Sequence, residues 1–173
     1  MTAVDKVNLM QREDPSIDAD ALVDAYARGP ATLRAAVQGM TAEQARARPI
    51  QGRWSTIELV AHLAGTELYQ SDRIERTLAA DRPLLMGVDE RPYPERLNYQ
   101  ELDLGEQLDL HTALRRHIAR VLRSQPAEAW ARTAVHSESG LVTLRQLVFQ
   151  PVRHLAHHLP LLAEKRAALI VPK

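Results

Sequence analysis

Apolar residues recur every three or four positions along four long segments, and this periodicity constrains the fold more than any other feature of the sequence. The clearest stripe consists of Ile57, Leu59, Val60, Leu63, Ala64, Leu68, Ile74 and Leu78. Glycine accounts for only 7 of the 173 residues, and no segment alternates strictly between apolar and polar side chains, as a half-buried strand does. The pattern predicts an all-α protein in which each helix buries one face.

Start and stop signals place the four long helices at residues 18–40, 55–80, 101–124 and 143–168. Their first turns carry side chains that can accept backbone hydrogen bonds, namely Asp18 or Asp20, Ser55 and Thr143. Glu58 lies three residues after Ser55, which is the spacing of a capping box. A further capping box, Thr41 with Gln44, predicts a short helix between the first two long ones.

Prolines lie inside two of the predicted helices. Gly29 and Pro30 fall within the first, and Pro151 and Pro160 within the fourth. Proline lacks a backbone N–H and crowds the preceding turn, so we expect a kink or a break at each position. A break near Pro151 would also remove the helical spacing of the histidines that follow it.

Residues 81–100, DRPLLMGVDERPYPERLNYQ, separate the second and third long helices. A connection of about twenty residues is longer than a tight antiparallel turn needs. It suits a crossover that returns along the bundle, so we predict a four-helix bundle with one long crossover between helices 2 and 3. Residues 18–173 are predicted to form a single domain after a loosely ordered lead-in at residues 1–17. Residues 126–140 are predicted to be irregular, with one short turn near Trp130.

Charge and composition narrow the classes of function. Lys and Arg number 22, as do Asp and Glu, so the net charge is zero and no nucleic-acid partner is expected. The chain has no cysteine, which excludes disulfides, thiolate metal ligands and a cysteine nucleophile. No apolar run approaches the roughly 18 residues of a membrane span, and no signal peptide is evident. We therefore expect a cytoplasmic protein with no membrane partner.

Three of the seven histidines lie in RHLAHHLP, residues 153–160. His154 and His158 are four residues apart, so on a helix they share one face and can bind one metal ion together. His62 lies among apolar residues and is expected to face the interior, where it could supply a third imidazole. Three imidazoles with the remaining positions open to water form a catalytic type of metal site. A spacing of four residues between histidines also arises by chance. The alternative is therefore that these histidines are packing and surface residues without a metal.

Two segments carry a family resemblance: PIQGRWSTIELVAHLAGTE at residues 49–67 and HLAHHLPLL at residues 154–162. They resemble the DinB/YfiT-like superfamily in the Trp-Ser opening of the second helix, the histidine two turns into it, and the HxxxH near the end of the last helix. The resemblance covers about residues 20–166. It implies a four-helix bundle of DinB/YfiT type that binds a divalent metal, commonly zinc or nickel, through His62, His154 and His158.

The resemblance also implies several possible activities. The family includes proteins labelled as metal-dependent hydrolases, thiol-dependent S-transferases and a mycothiol-dependent maleylpyruvate isomerase. For this chain it implies hydrolysis of a small molecule or thiol transfer to it, with an external low-molecular-weight thiol because the chain has no cysteine. It further implies a homodimer. The alternative is a non-catalytic bundle whose metal is structural or vestigial and which serves ligand binding or dimerisation.

Other polar residues are candidates for supporting roles. Glu58, one turn before His62, could orient an imidazole or act as a general base, although capping alone would explain it. Gln150, one turn before His154, could reach a substrate or a metal ligand. Further assignments are Thr66 and Tyr69 to a pocket lining or the core, Trp54 to the core, Arg153, His111 and His117 to the surface, His157 to the surface or beside the site, and His136 to the loop before the fourth helix.

Overall fold

A computed structural model describes residues 18–169, and the predicted lead-in at residues 1–17 lies outside this range. The helices in the described range are α1 (Ala19–Val37), α2 (Ala42–Arg46), α3 (Thr56–Ala79), α4 (Tyr93–Arg96), α5 (Leu104–Arg123) and α6 (Leu144–Ala168). The strands are β1 (Leu84–Leu85), β2 (Thr133–His136) and β3 (Gly140–Thr143). Short 3-10 turns cover Tyr99–Glu101 and Ala127–Ala131.

The four long helices form a bundle in which α1 and α3 each pack against both α5 and α6. Helices α3 and α5 run parallel, because their side-chain pairs follow the same order: Glu67 with Arg115, then Glu75 with His117. Helix α6 runs antiparallel to α3, because the order is reversed: His62 with His154, then Gln70 with Gln150. The same reversal relates α1 to α5: Asp24 with Arg123, then Arg34 with Asp109.

The parallel pairing of α3 and α5 explains the long connection between them. Helix α3 has 24 residues and is therefore about 36 Å long. The chain must travel back along this length before α5 can begin, and a tight turn cannot do so. The predicted four-helix bundle and its long crossover are therefore confirmed. The crossover carries β1, α4 and the first 3-10 turn.

A small sheet, which the sequence pattern did not predict, lies at the end of the bundle where α3 and α5 finish. Strand β1 pairs in parallel with β2, and β2 pairs antiparallel with β3. The predicted short turn near Trp130 is present as the 3-10 turn Ala127–Ala131, but the prediction that residues 126–140 are otherwise irregular was wrong, because β2 lies within them. Strands of two to four residues are too short to give a detectable alternation.

The core has two apolar clusters, one toward each end of the bundle. The cluster next to the sheet includes Ile74, Ile118 and Leu147, and the other includes Leu33, Leu63 and Leu162. The predicted α3 stripe is buried except at Leu68, which is 50% exposed, and at Leu78, which is partly buried. Leu68 is displaced because the neighbouring Glu67 takes the inward position.

A kink or a break was predicted at each helical proline, and the break does not occur. Helix α1 is continuous through Pro30, and α6 is continuous through Pro151 and Pro160. Pro30 cannot donate to the carbonyl of Tyr26 four residues earlier, and the guanidinium of Arg115 donates to that oxygen instead. Unbroken backbone through Pro151 keeps the following histidines in helical register.

Side-chain caps fix the starts of α2, α3 and α6. The two predicted capping boxes, at Thr41 and Ser55, are present. The predicted cap Thr143 also forms a capping box, with Gln146. Asp18 occupies the N-cap position of α1 without a side-chain hydrogen bond. None of the helices within residues 18–169 combines the length and the apolar character needed to cross a membrane.

Candidate metal centre

Three histidines from two helices converge in the half of the bundle away from the sheet. His62 lies in the second turn of α3, and His154 and His158 lie one turn apart on α6. The Nε2 atom of His154 is 3.2 Å from Nε2 of His62 and 3.0 Å from Nε2 of His158. Each ring offers one nitrogen, and the three nitrogens lie within 4.8 Å of one another. The helices thus bring together the three residues that the sequence analysis grouped.

The spacing of these nitrogens fits a small divalent ion. Two ligands of a tetrahedral zinc ion, each about 2.0–2.1 Å from the metal, lie about 3.3 Å apart. Three ring nitrogens that face one point also need a cation or shared protons between them, because facing lone pairs repel one another and so do facing N–H groups. The Nδ1 atom of His158 is buried and has no hydrogen-bond partner within residues 18–169.

Burial keeps the rings of His154 and His158 uncharged. Burial, and then the neighbouring His62, lower the pKa of His158 to about 3. Burial and the same neighbour also hold the pKa of His154 well below its usual range. A metal binds the neutral imidazole, so at neutral pH little proton competition remains at these two rings.

Two aromatic neighbours border the histidine cluster. The ring of Trp54, just before α3, lies 5.1 Å from the ring of His62. The ring of His157 lies 5.0 Å from that of His158, but His157 is exposed and does not belong to the cluster. Trp54 is half-buried, so it covers His62 rather than anchoring α3 deep in the core.

Comparison with known proteins places the chain in a family. The sequence profile of the DinB superfamily matches residues 25–162, which is most of the chain. This chain belongs to the DinB superfamily. A protein of Oceanobacillus iheyensis and YfiT of Bacillus subtilis both carry the name "putative metal-dependent hydrolase". They are 25% and 26% identical to this chain, over 75% and 78% of its length and 75% and 76% of their own.

Solved structures show the same DinB fold. The structure of YfiT, described as a four-helix bundle of unusual topology, has a TM-score of 0.82 at 22% identity and covers 92% of this chain and 91% of its own. A mycothiol-dependent maleylpyruvate isomerase has a TM-score of 0.67 at 12% identity, over 83% of this chain and 60% of its own. At these identities the structural likeness concerns the fold.

In this DinB protein, Glu58 serves as the capping residue of α3. Its carboxylate accepts a hydrogen bond from the backbone N–H of Ser55 at 2.7 Å. It also accepts two from the guanidinium of Arg48, at 2.6 and 3.1 Å. Burial alone would raise the pKa of Glu58, but these hydrogen bonds bring it below its usual value. A catalytic role for Glu58 stays a prediction, and it would have to act with these bonds in place.

The other candidates beside the cluster are bonded within the protein. Gln150 accepts a hydrogen bond from Nε2 of Gln70 at 2.7 Å, across the interface of α3 and α6. Thr66 is buried and donates to the carbonyl of Leu63 at 3.0 Å. Tyr69 donates to a carboxylate of the crossover, Glu90, at 2.5 Å. A substrate contact by Gln150 stays a prediction.

Three of the surface and loop assignments need correction. His111 is only 1% exposed, because it lies three residues after Leu108 and so continues the buried face of α5. Arg153 is half-buried, and His136 lies buried in β2 at the sheet end, far along the bundle from the histidine cluster. The exposed positions of His117 and His157 are confirmed.

A buried polar cluster, which the sequence pattern did not predict, lies in the middle of the bundle. Arg115 donates through Nε to Glu67 at 2.8 Å and through Nη2 to the carbonyl of Pro151 at 2.7 Å. Glu67 also accepts the hydroxyl of Tyr26, and its carboxylate lies 3.7 Å from Nε2 of His111. The side chains of Arg115 and Glu67 are each only 2% exposed. Because Pro151 lies one turn before His154, Arg115 also holds the backbone that positions this histidine.

Proposed function

We propose that this DinB protein is an enzyme in which His62, His154 and His158 hold a divalent metal ion. The observation that carries the proposal is the convergence of three Nε2 atoms, one from α3 and two from α6, at a half-buried position. Three protein ligands is the number typical of catalytic zinc sites. An all-nitrogen ligand set suits zinc or nickel and disfavours magnesium and calcium, which prefer oxygen.

Hydrolysis of a small molecule is the reaction we favour, in keeping with the names of the two curated relatives. A divalent ion on three imidazoles supplies Lewis acidity, which lowers the pKa of a water molecule or a thiol bound to it. The protein contributes the fixed positions of the rings, with Trp54 against His62 on one side. His154 keeps part of its surface exposed, whereas His62 and His158 are buried.

Thiol transfer is the second candidate, supported by the shared fold with a mycothiol-dependent isomerase. The chain has no cysteine, so the thiol would come from a separate small molecule. Both reactions use the same three histidines. A homodimer and a cytoplasmic location remain parts of this proposal, and the alternative is a non-catalytic bundle with a structural or vestigial metal.

Elemental mass spectrometry of protein purified without a polyhistidine tag tests the metal site. We expect about one zinc or nickel ion per chain after incubation with either metal. His62→Ala, His154→Ala and His158→Ala should each lower metal affinity by well over tenfold, since even losing a residue that only orients a ligand costs 10–100-fold. His157→Ala is the matched control, because this exposed histidine adjoins His158 outside the cluster.

Two outcomes would contradict the proposal. One is wild-type protein that stays metal-free in both metals, and the other is a His157→Ala variant that loses metal as readily as His154→Ala. With the metal site established, ester and amide hydrolysis and conjugation of a small thiol can be assayed with the same set of variants. Activity that is lost with the three histidines and kept in His157→Ala would separate the enzyme from the non-catalytic bundle.

A further inference from the structure

A lysine lies buried close to the three-histidine cluster. Lys165 is seven residues, or two helical turns, beyond His158, so both side chains leave α6 on nearly the same face. Helical side chains lean toward the helix N-terminus, which directs Lys165 back toward His158. Lys165 is only 3% exposed, and its charge contributes to the lowered pKa of His158.

The ammonium group of Lys165 has no hydrogen bond and no carboxylate within 4.0 Å among residues 18–169. Its charged neighbours are Arg53, Glu164 and Glu58, and burial and then Arg53 lower its pKa. The carboxylate of Glu58 is already bonded to Arg48 and to the backbone of Ser55. Shielding a lysine from water without an ion pair is costly. The side chain of Lys165 is only 3% exposed, but its ammonium still contacts solvent, so an anion from solution can pair with it.

A cavity of about 630 Å³ lies on the same side of the cluster. Its charged lining comprises three arginines and three glutamates: Arg48, Arg53, Arg91, Glu58, Glu95 and Glu101. Trp54 also lines it and contacts the ring of His62. Arg53 is exposed and forms no hydrogen bond or ion pair with the described residues. Arg53 therefore lines the cavity, and Lys165 lies close enough to Arg53 for the two charges to interact, at the end of α6 nearest the start of α3.

We propose that Lys165 and Arg53 form an anion-binding subsite next to the three-histidine site, and that the small molecule used there carries a carboxylate or a phosphate group. This inference rests on the proposed function, because it assigns a chemical class to the substrate or to the thiol that the enzyme would use. An oxyanion between the two cations would form charge-assisted hydrogen bonds with both. It would also hold the rest of the molecule in line with the histidines.

Anion binding to metal-free protein tests the subsite independently of the metal. The chain has two tryptophans, and Trp130 packs against the apolar cluster at the sheet end. A Trp130→Phe background therefore makes Trp54, in the cavity wall, the sole fluorescent reporter. After removal of metal with a chelator, we would titrate inorganic phosphate and acetate in separate arms, with chloride at equal ionic strength as the reference.

We expect a saturable change in Trp54 fluorescence with at least one of the two oxyanions, and none with chloride. Lys165→Met should weaken this binding by at least tenfold, whereas Lys165→Arg should stay within threefold of the parent. Arg166→Gln, which removes an equal charge at the exposed neighbouring position, should change it by less than twofold. Arg53→Gln changes an exposed side chain and should weaken binding by threefold or more.

The stability of Lys165→Met distinguishes a ligand-binding lysine from a structural one. Since Lys165 has no ion pair among the described residues, methionine should leave the urea midpoint of metal-free protein unchanged or raise it. Unchanged oxyanion affinity in both Lys165→Met and Arg53→Gln, or a response no greater than that to chloride, would overturn the subsite. Neither result depends on metal loading, so failure of the metal site would be seen separately.

Discussion

Replacement of Arg115 by methionine should lower the free energy of unfolding by about 3 kcal/mol, because it removes one partner of a buried ion pair. The side chain bonds to groups on the other three long helices: Tyr26 on α1, Glu67 on α3 and Pro151 on α6. Its guanidinium also lies 4.6 Å from the ring centre of Tyr26. Gly29 makes room for it, since a Cβ there would fall 2.1 Å from Nη1 of Arg115.

The size of this loss in stability follows from the buried carboxylate of Glu67, which remains after Arg115 is removed. Removing one member of a buried ion pair typically costs about 3–5 kcal/mol, since the other charge remains buried. Glu67 would keep the hydroxyl of Tyr26 and the nearby ring of His111, which places the expected loss at the lower end of that range. A domain of this kind has about 5–15 kcal/mol of total stability, so the variant should still fold.

Urea denaturation at pH 7 measures the effect, with Arg123→Met as the control. Arg123 also joins α5 to α1, through Asp24, but both side chains of that pair are 54% exposed. Its loss should therefore cost less than about 1 kcal/mol.

The double variant Arg115→Met with Glu67→Leu should recover part of the loss, because no uncompensated charge remains. Recovery should be incomplete, because the hydroxyl of Tyr26 and the carbonyls of Tyr26 and Pro151 lose their partners. Equal losses in Arg115→Met and Arg123→Met, or no recovery in the double variant, would refute the reasoning.

Two further predictions concern titratable groups. Glu58→Gln keeps an oxygen for the capping bond, so urea denaturation should show a loss in the free energy of unfolding of less than about 1 kcal/mol, and metal affinity should not change. A fall in activity of 10²-fold or more would instead assign Glu58 to catalysis. Burial lowers the pKa of His111 from 6.5 to about 3. As the pH decreases through this window, the unfolded chain binds a proton that the folded protein does not, so the free energy of unfolding decreases by up to about 1.4 kcal/mol for each pH unit. His111→Leu should therefore lose less stability than wild type between pH 6.5 and pH 4, and parallel urea midpoints for the two proteins would contradict the assignment.

The bundle and the histidine cluster were predictable because each rests on a local repeat. Helical periodicity over twenty or more residues specifies which face is buried, and the long proline-containing connection indicates a crossover. The four-residue spacing of His154 and His158 depends only on α6 being helical. That condition holds through Pro151.

The continuity of α6 and α1 through their prolines could not be predicted in the same way. A proline frees the carbonyl four residues earlier, and the outcome depends on whether another group bonds to it. At Pro30 that group is the guanidinium of Arg115, which lies 85 positions further along the chain and on another helix. The sequence pattern around Pro30 does not indicate a hydrogen-bond partner this far along the chain.

The buried cations are visible in the sequence as charged residues at inward helix positions, but a search for apolar periodicity does not detect them. Arg115 lies seven residues after Leu108 and three before Ile118, and Lys165 lies three after Leu162, so both occupy inward positions of their helices. A charge at such a position needs a partner to offset its lost hydration. Arg115 has Glu67, whereas Lys165 has no carboxylate partner among the described residues. Methionine at these two positions should therefore have opposite consequences: at position 115 it strands a buried carboxylate and weakens the fold, and at position 165 it leaves the fold intact and weakens only the binding of an anion.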